Sequence, residues 1–481
     1  MIAWSLYTTF IGAFLLLLLP RGMARWIALL TAVTGLVISC AAFFGIQNPG
    51  TLQDIVRIPW IPALGGMSFH LAADGISLTM AVVTGLTGVG AILFSWNVDR
   101  RQNEFFFWLL LVIGGSYGVF LSADIFLFFV FYELVIIPKY LLIATWGSTN
   151  KAYGAMKLTL YSFFGGALIL IALVPTCLAA GTTDIQQLSA HVFSPAFQAW
   201  AFPMMFLGFA VLAGMWPVHT WAPTGHSAAP TAGSMLLAGV VMKLGAYGAL
   251  RLPMNLFPDG YQSWRGAIGI LAIIGICYAA GVALRQRDLK FVIGYSSVSH
   301  MGFVLLGLAT AQRLGIGGAV LQMFSHGVIA GLLFAVAGRM IYERSHTRDL
   351  HELSEMKLSR AIPFAAFTFV VASAASMGIP GFSGFAAEIT ILIGLWHAYP
   401  ILVPVAGVGM ALTAAFTLRA LRYSFFGEKS ASPPLECPPI TFAEKSGAIL
   451  LMASTLAVGL YPKLLLDRIL PCVDVMRFLK P

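Results

Sequence analysis

The stretch Ile125-Phe-Leu-Phe-Phe-Val-Phe-Tyr-Glu133-Leu-Val-Ile-Ile-Pro138-Lys139-Tyr-Leu-Leu-Ile-Ala-Thr-Trp146 decides the fold class. It is a long apolar run with one acid inside it and no alternation of polar and apolar residues. About 20 mostly apolar residues carry a helix across the hydrocarbon core of a bilayer. Within lipid each backbone polar group must find its partner inside the segment. The strands of a membrane barrel would alternate, so this run reads as helix.

Working outward, Ile11–Leu19, Phe105–Leu121, Leu160–Ala180 and Phe364–Met377 have the same character. The 481 residues are 59% hydrophobic and 10% charged, against roughly 25% charged in globular domains. The fold class is therefore all-α, a polytopic membrane protein. Apolar runs between charged or Pro/Gly-rich breaks predict about fourteen spans, near 3–19, 26–45, 72–96, 105–121, 124–146, 157–180, 199–225, 231–251, 265–284, 291–310, 317–342, 362–397, 400–425 and 446–465.

The net charge of +9 sits in short loops, with no basic helix face. Such charge records topology, which leaves nucleic acid out as a partner and makes the lipid bilayer one. Loops holding Arg21 and Arg25, Arg100 and Arg101, Lys151 and Lys157, Arg285, Arg287 and Lys290, the Glu343–Arg360 stretch, and Lys429 and Lys445 alternate with loops poor in Lys and Arg, such as Gly181–Gln198 and Thr310–Gly315. The rich set is predicted to be cytoplasmic, which puts both termini on the outer side. After the first apolar run comes Arg21-Gly-Met-Ala-Arg25, without a small-x-small cleavage site, so that span is expected to stay.

Two spans are predicted to be discontinuous, because proline removes a backbone donor and clashes with the preceding turn. One contains Pro217, Pro223, Gly225, Pro230 and Gly233; the other contains Gly378, Pro380, Gly381 and Gly384. The breaks lie five spans apart. Paired broken spans point to inverted repeats around a central ion site. The predicted organisation is 1–104 for the first three spans, 105–251 and 265–425 for two repeats, and 426–481 for a cytoplasmic loop (Glu428 to Pro439) with the last span.

An Asp or Lys at mid-membrane costs about 2.5–3.5 kcal/mol, so each ionisable residue in a span needs a reason. Glu133, Lys243, His300, His326 and Glu388 all fall inside predicted spans. Burial raises the pKa of a carboxyl and lowers that of an amine, while histidine already titrates near neutrality. Such a set suits protons. It suits a metal ion poorly, since a lysine repels cations and no carboxylate cluster accompanies it. The five cysteines are scattered, without a CxxC pair or a Cys/His cluster for zinc or iron–sulfur ligation. No dinucleotide fingerprint, P-loop or nucleophile elbow is present.

The residues then resemble a known family, the antiporter-like subunits M (chain 4) of proton-pumping NADH:quinone oxidoreductase. The matching segments are Phe131-Tyr-Glu-Leu-Val-Ile-Ile-Pro138, Pro217-Val-His219-Thr-Trp221-Ala-Pro223, His226-Ser-Ala-Ala-Pro230-Thr-Ala-Gly-Ser234 and Lys243-Leu-Gly-Ala-Tyr-Gly248. They continue through Asp288-Leu-Lys290, Tyr295-Ser-Ser-Val-Ser-His300-Met-Gly302, Gln322-Met-Phe-Ser-His326-Gly327, Thr347-Arg-Asp349 and Gly381-Phe-Ser-Gly384 with Glu388. The resemblance covers most of residues 105 to 430. It implies two inverted five-span repeats and a lateral line of buried charge through Glu133, Lys243, His300, His326 and Glu388; Lys139, Lys157, His219 and His226 are candidate auxiliaries beside it. It further implies that quinone, flavin and iron–sulfur clusters belong to partner subunits, with no cofactor on this chain, and that antiporter-like and quinone-site membrane subunits are its partners. The implied setting is a bacterial cytoplasmic membrane.

One position departs from the family pattern. The lysine that pairs with the span-five glutamate is expected at Leu212, and no Lys or Arg occurs between Lys157 and Lys243. Pro223-Thr-Gly-His226 also lacks the family's acid. A buried charge that loses its partner is strongly disfavoured, so Glu133 is expected either to stay neutral more of the time or to find another cation. Lys139 lies six residues on, off the face of Glu133 on a regular helix, unless Pro138 alters the geometry. The sequence expectation is that Lys139 snorkels to the interface. Readings as a cation/proton antiporter or membrane-bound hydrogenase subunit, or as a transport-silent scaffold, follow from the shared repeat and from Leu212.

Overall fold

The computed structural model describes residues 1–18, 20–61, 66–427 and 436–479. Twelve described helices are long and apolar enough to cross a membrane. Ala3–Leu18 and the consecutive pair Pro363–Ser376 and Ser383–Ala398 are shorter apolar helices, and together the set is compatible with fourteen passes. The chain is a multi-pass membrane protein. Thr231–Leu256 and Arg313–Ser345 form its centre, with their most apolar windows 94% and 100% buried. Leu402–Phe425, with its most apolar window 28% buried, lies on the outside of the bundle.

Aspartates start several of these helices. Asp124 accepts from the amides of Phe126 (2.9 Å) and Leu127 (3.0 Å), from the Ser68 amide (3.0 Å), and from the Thr183 hydroxyl (2.5 Å). Asp288 accepts from the amides of Lys290 (2.8 Å) and Phe291 (3.2 Å). Each satisfies donors that a helix N-terminus leaves open. The two corners match further. Ile125 N donates to Thr183 O and Ile185 N to Ala123 O, both at 2.9 Å; Leu289 N donates to Arg348 O and Leu350 N to Arg287 O, also at 2.9 Å. Asp184 and Asp349 cap the helices that follow. Equivalent corners therefore recur one five-span set apart.

Small residues set the closest helix approach at the centre. A Cβ on Gly239 would lie 3.2 Å from the Gly327 carbonyl, and one on Gly327 would lie 2.7 Å from that of Gly239. This contact brings the span carrying Lys243 against the span carrying His326, a use of small residues common between membrane helices.

Three features depart from the sequence reading. The break in the seventh span is Gly214–Thr220, between helices Pro195–Ala213 and Trp221–Ala228. Pro223 instead sits in the first turn of the second helix, where its missing N–H costs nothing, whereas Pro230 does mark a break, between Trp221–Ala228 and Thr231–Leu236. A two-stranded antiparallel hairpin, β1 (Gln53–Ile61) with β2 (Met67–Ala73), precedes the third span. The last span runs Phe442–Leu460 and is followed by the separate helix Lys463–Asp474, whose charged residues make it too polar for a span. Most of the predicted 428–439 loop lies outside the described residues. Arg477 donates to the carbonyls of Ser189 and His191, both at 2.7 Å, and Tyr7 stacks on Phe69 of β2. Both chain ends thus lie at the hairpin face.

The hairpin is tied down by a histidine. His70 is 2.9 Å from Asp54 and 3.1 Å from Asp184, and Arg57 is 3.2 Å from Asp184. Contact with Asp184, more than offsetting burial and aided by Asp54, raises the His70 pKa above its usual 6.5. A raised histidine stabilises fully below 6.5 and loses that contribution as pH climbs through its folded value. Hydrogen–deuterium exchange of the 67–73 amides is therefore expected to accelerate as pH rises above about 6.5, beyond the intrinsic base-catalysed increase. His70→Asn should remove that extra dependence; an unchanged profile in the variant would rule out His70 as its source.

Candidate functional site

Four ionisable residues from four spans meet at the centre. Lys243 follows a π-helical turn, Leu237–Val241, within its span. Such turns widen the helix and are frequent at functional sites. The Lys243 ammonium, fully buried, donates to the Ala238 carbonyl of that turn and lies 2.8 Å from His326 Nδ1. The His326 and His300 rings lie 5.4 Å apart. His300 Nδ1 is 3.4 Å from Glu388 Oε1, and Gln322 Nε2 is 3.3 Å from the same nitrogen. On the opposite side of the ring, His300 Nε2 meets the Ser376 hydroxyl at 3.1 Å.

The spatial order is therefore Lys243, His326, His300, Glu388, with the histidines reversed relative to the chain. Glu388 is buried, and a Cβ on Gly378 would lie 2.7 Å from its Oε2. Gly378 has φ +70°, a conformation that favours glycine. The Gly378, Pro380 and Gly381 break thus brings backbone against the carboxylate at the end of the line.

The other end is built differently from the sequence expectation. Glu133 is half-buried, and its Oε1 is enclosed without a hydrogen-bond partner among the described residues. The helix breaks between Leu134 and Ile136, dividing the span into Ile125–Leu134 and Ile136–Trp146. Beyond the break Lys139 points inward. It is 3% exposed and so does not snorkel. Its ammonium has no hydrogen-bond partner among the described residues, and it lines a small cavity of about 10 Å³ with Leu237 and Val241 of the π turn. Lys139 thus faces the span that carries Lys243. Leu212 is buried one helix away, with its backbone against Gly245.

The auxiliary residues are placed apart from the central line. His219 is buried beside Tyr278 (5.5 Å) and Tyr295 (6.3 Å). His226 is fully buried and stacks on Phe334 at 4.8 Å. Neither ring has a hydrogen-bond partner among the described residues. Lys157 reaches the Thr224 hydroxyl at 3.4 Å. Sequence reasoning placed Lys290 among loop charges, yet it is buried and donates to the Ala229 carbonyl at 2.9 Å. Its neighbours Asp288 and Arg287 hid it, since loop and span residues look alike at a helix start. No group of three or more His, Cys, Asp or Glu side chains placed to hold a metal ion occurs among the described residues.

A polytopic helical protein with two broken spans and a buried Lys–His–His–Glu line is, in class, a membrane subunit of antiporter-like architecture. Residues 122–413 match the family described as NADH:quinone oxidoreductase/Mrp antiporter, TM, and the chain belongs to that family. It is 37% identical over 465 residues to NADH-quinone oxidoreductase subunit M of Rhodobacter capsulatus, covering 94% of this chain and 90% of that one. It superposes with a TM-score of 0.91 on a chain of respiratory complex I from Thermus thermophilus with bound NADH, at 26% identity and with complete coverage of both chains. A chain of the Mrp complex from Dietzia sp. DQ12-45-1b shares the fold, with a TM-score of 0.84 at 21% identity and coverage of 98% and 97%.

Proposed function

We propose that the chain is a proton-translocating membrane subunit of an NADH:quinone oxidoreductase complex, with redox chemistry confined to partner subunits. The observation that carries this reading is the buried line Lys243–His326–His300–Glu388, drawn from four spans and ending at the broken twelfth. In the proposed step Lys243 gives a proton to His326 Nδ1, and His326 releases one from Nε2 toward His300. His300 then passes one to Glu388. Each histidine gains and loses one proton, leaving Lys243 neutral and Glu388 protonated; the line resets when Glu388 releases its proton, Lys243 takes up another and His326 returns to its first tautomer. Glu133 and Lys139 form the other end, where a charge change in a neighbouring membrane subunit shifts their protonation and that of Lys243. The half-open flank at Glu133 supports such a neighbour, because a carboxylate facing lipid would be costly. The matched Asp124 and Asp288 corners support two repeats over 105–251 and 265–425. Positive loops support a cytoplasmic-membrane setting with the hairpin face outward.

The test is to purify the full-length chain with its native partners and reconstitute the assembly in liposomes. Acidification driven by NADH oxidation with quinone, independent of sodium, is the expected result. Sodium/proton exchange in the absence of electron transfer would overturn the reading in favour of an antiporter.

A further inference from the structure

Lys243, Tyr247 and Arg251 follow one another at four-residue steps on one helix, a spacing that places them along one face. Beyond Lys243 this face leads away from the histidines to a cavity of about 370 Å³ lined by Asp74, Ser122, Ser189, Tyr247, Arg251 and Asn255, among others. Its rim residues Thr51 and Gln186 are exposed, so it opens at the hairpin face. At its floor Arg251 pairs with buried Asp74 and lies 3.4 Å from the Ser77 hydroxyl. Ser77 in turn lies 3.0 Å from the Tyr247 hydroxyl, which donates to the Phe120 carbonyl at 3.0 Å. The Arg251 guanidinium also lies over the Tyr247 ring, 5.3 Å from its centre.

A clamp between two helices does not require this chemistry, since well-packed apolar residues often serve as well as a buried ion pair. Here the pair closes a run of exchangeable hydroxyls between an aqueous cavity and Lys243. A fixed positive charge in a narrow passage excludes protons and cations.

We propose that this cavity is an outward branch of the proton path, and that Arg251, held by Asp74, is its plug. The inference rests on Lys243 carrying protons. In the resting arrangement Lys243 faces His326 and the branch is shut. When the lysine side chain rotates toward Tyr247 and Arg251 withdraws, the Lys243 proton passes to the Tyr247 oxygen. Tyr247 turns its O–H from the Phe120 carbonyl to Ser77 and gives its own proton there, and Ser77 gives one to water in the cavity. Each hydroxyl gains one proton and loses one, and Lys243 is left neutral.

The assembled complex in liposomes loaded with a pH dye tests this without NADH, using a potassium diffusion potential to drive passive proton flux. Arg251→Gln is expected to raise that flux severalfold, whereas Arg251→Lys, which keeps the charge, should stay tight. Adding Tyr247→Phe to Arg251→Gln should return the flux to the parent level. An assembled Arg251→Gln complex that stays tight, or a leak indifferent to Tyr247→Phe, overturns the branch. Should Arg251→Gln fail to assemble, the same flux is read on Asp74→Asn, which frees the guanidinium; no leak there also overturns it. Lys243→Ala is measured alongside with NADH. Pumping that survives it refutes the path itself, whereas lost pumping beside a tight Arg251→Gln refutes only the branch.

Discussion

Lys243→Met is expected to cut proton pumping per NADH oxidised by roughly a hundredfold while the complex still assembles. Methionine fills much of the lysine's volume, so packing against the π turn survives. The proton instead loses its resting place between Lys139 and His326. Crossing that gap then carries the cost of an uncompensated charge at mid-membrane, about 2.5–3.5 kcal/mol, and each 1.36 kcal/mol is tenfold in rate. Lys243→Arg should fail almost as badly despite keeping the charge, because a guanidinium does not release its proton. Pumping is read by dye quenching in liposomes, with NADH oxidation and subunit content measured on the same preparation. Normal pumping in an assembled Lys243→Met complex would remove the lysine from the path.

The second large effect is expected at Lys139. Lys139→Met should lower pumping about tenfold, because it removes the buried cation that follows Glu133 in the same span, and each 1.36 kcal/mol lost to the moving proton is tenfold in rate. Leu212→Lys alone is expected to lower pumping too, since a second ammonium would crowd one carboxylate. Combined with Lys139→Met, it should restore most of the lost activity by supplying the missing cation from the neighbouring helix. This compensation separates a rerouted path from a lost one. If Lys139→Met pumps normally, Lys139 is not the substitute and the scaffold reading gains ground.

The membrane fold was legible because its signal is local. Long apolar runs, the loop charges and the paired breaks around Pro217 and Pro380 can each be read within one segment. The β1–β2 hairpin was not, because its strands lie between spans and are too short and mixed to stand out. The central line was half legible. Glu133, Lys243, His300, His326 and Glu388 stood out as polar residues in apolar runs, but their order in space did not. Tyr247, Ser77 and Asp74 gave no signal, because a hydroxyl or a helix-capping aspartate looks ordinary until its partner from another span is known.

By itself, the sequence determined that this chain crosses a membrane many times and carries buried groups able to hold protons. Those facts follow from the cost of placing charge and unpaired backbone in lipid, which each segment meets alone. Tertiary structure decided the order Lys243, His326, His300, Glu388, whose first step rests on the close approach at Gly239 and Gly327. It also decided the fate of Lys139. Six residues from Glu133, it belongs on another face of a regular helix, and that face is packed inward against a cavity shared with the π turn. Whether a lysine snorkels or pairs depends on what stands in front of its ammonium, and here that is another span.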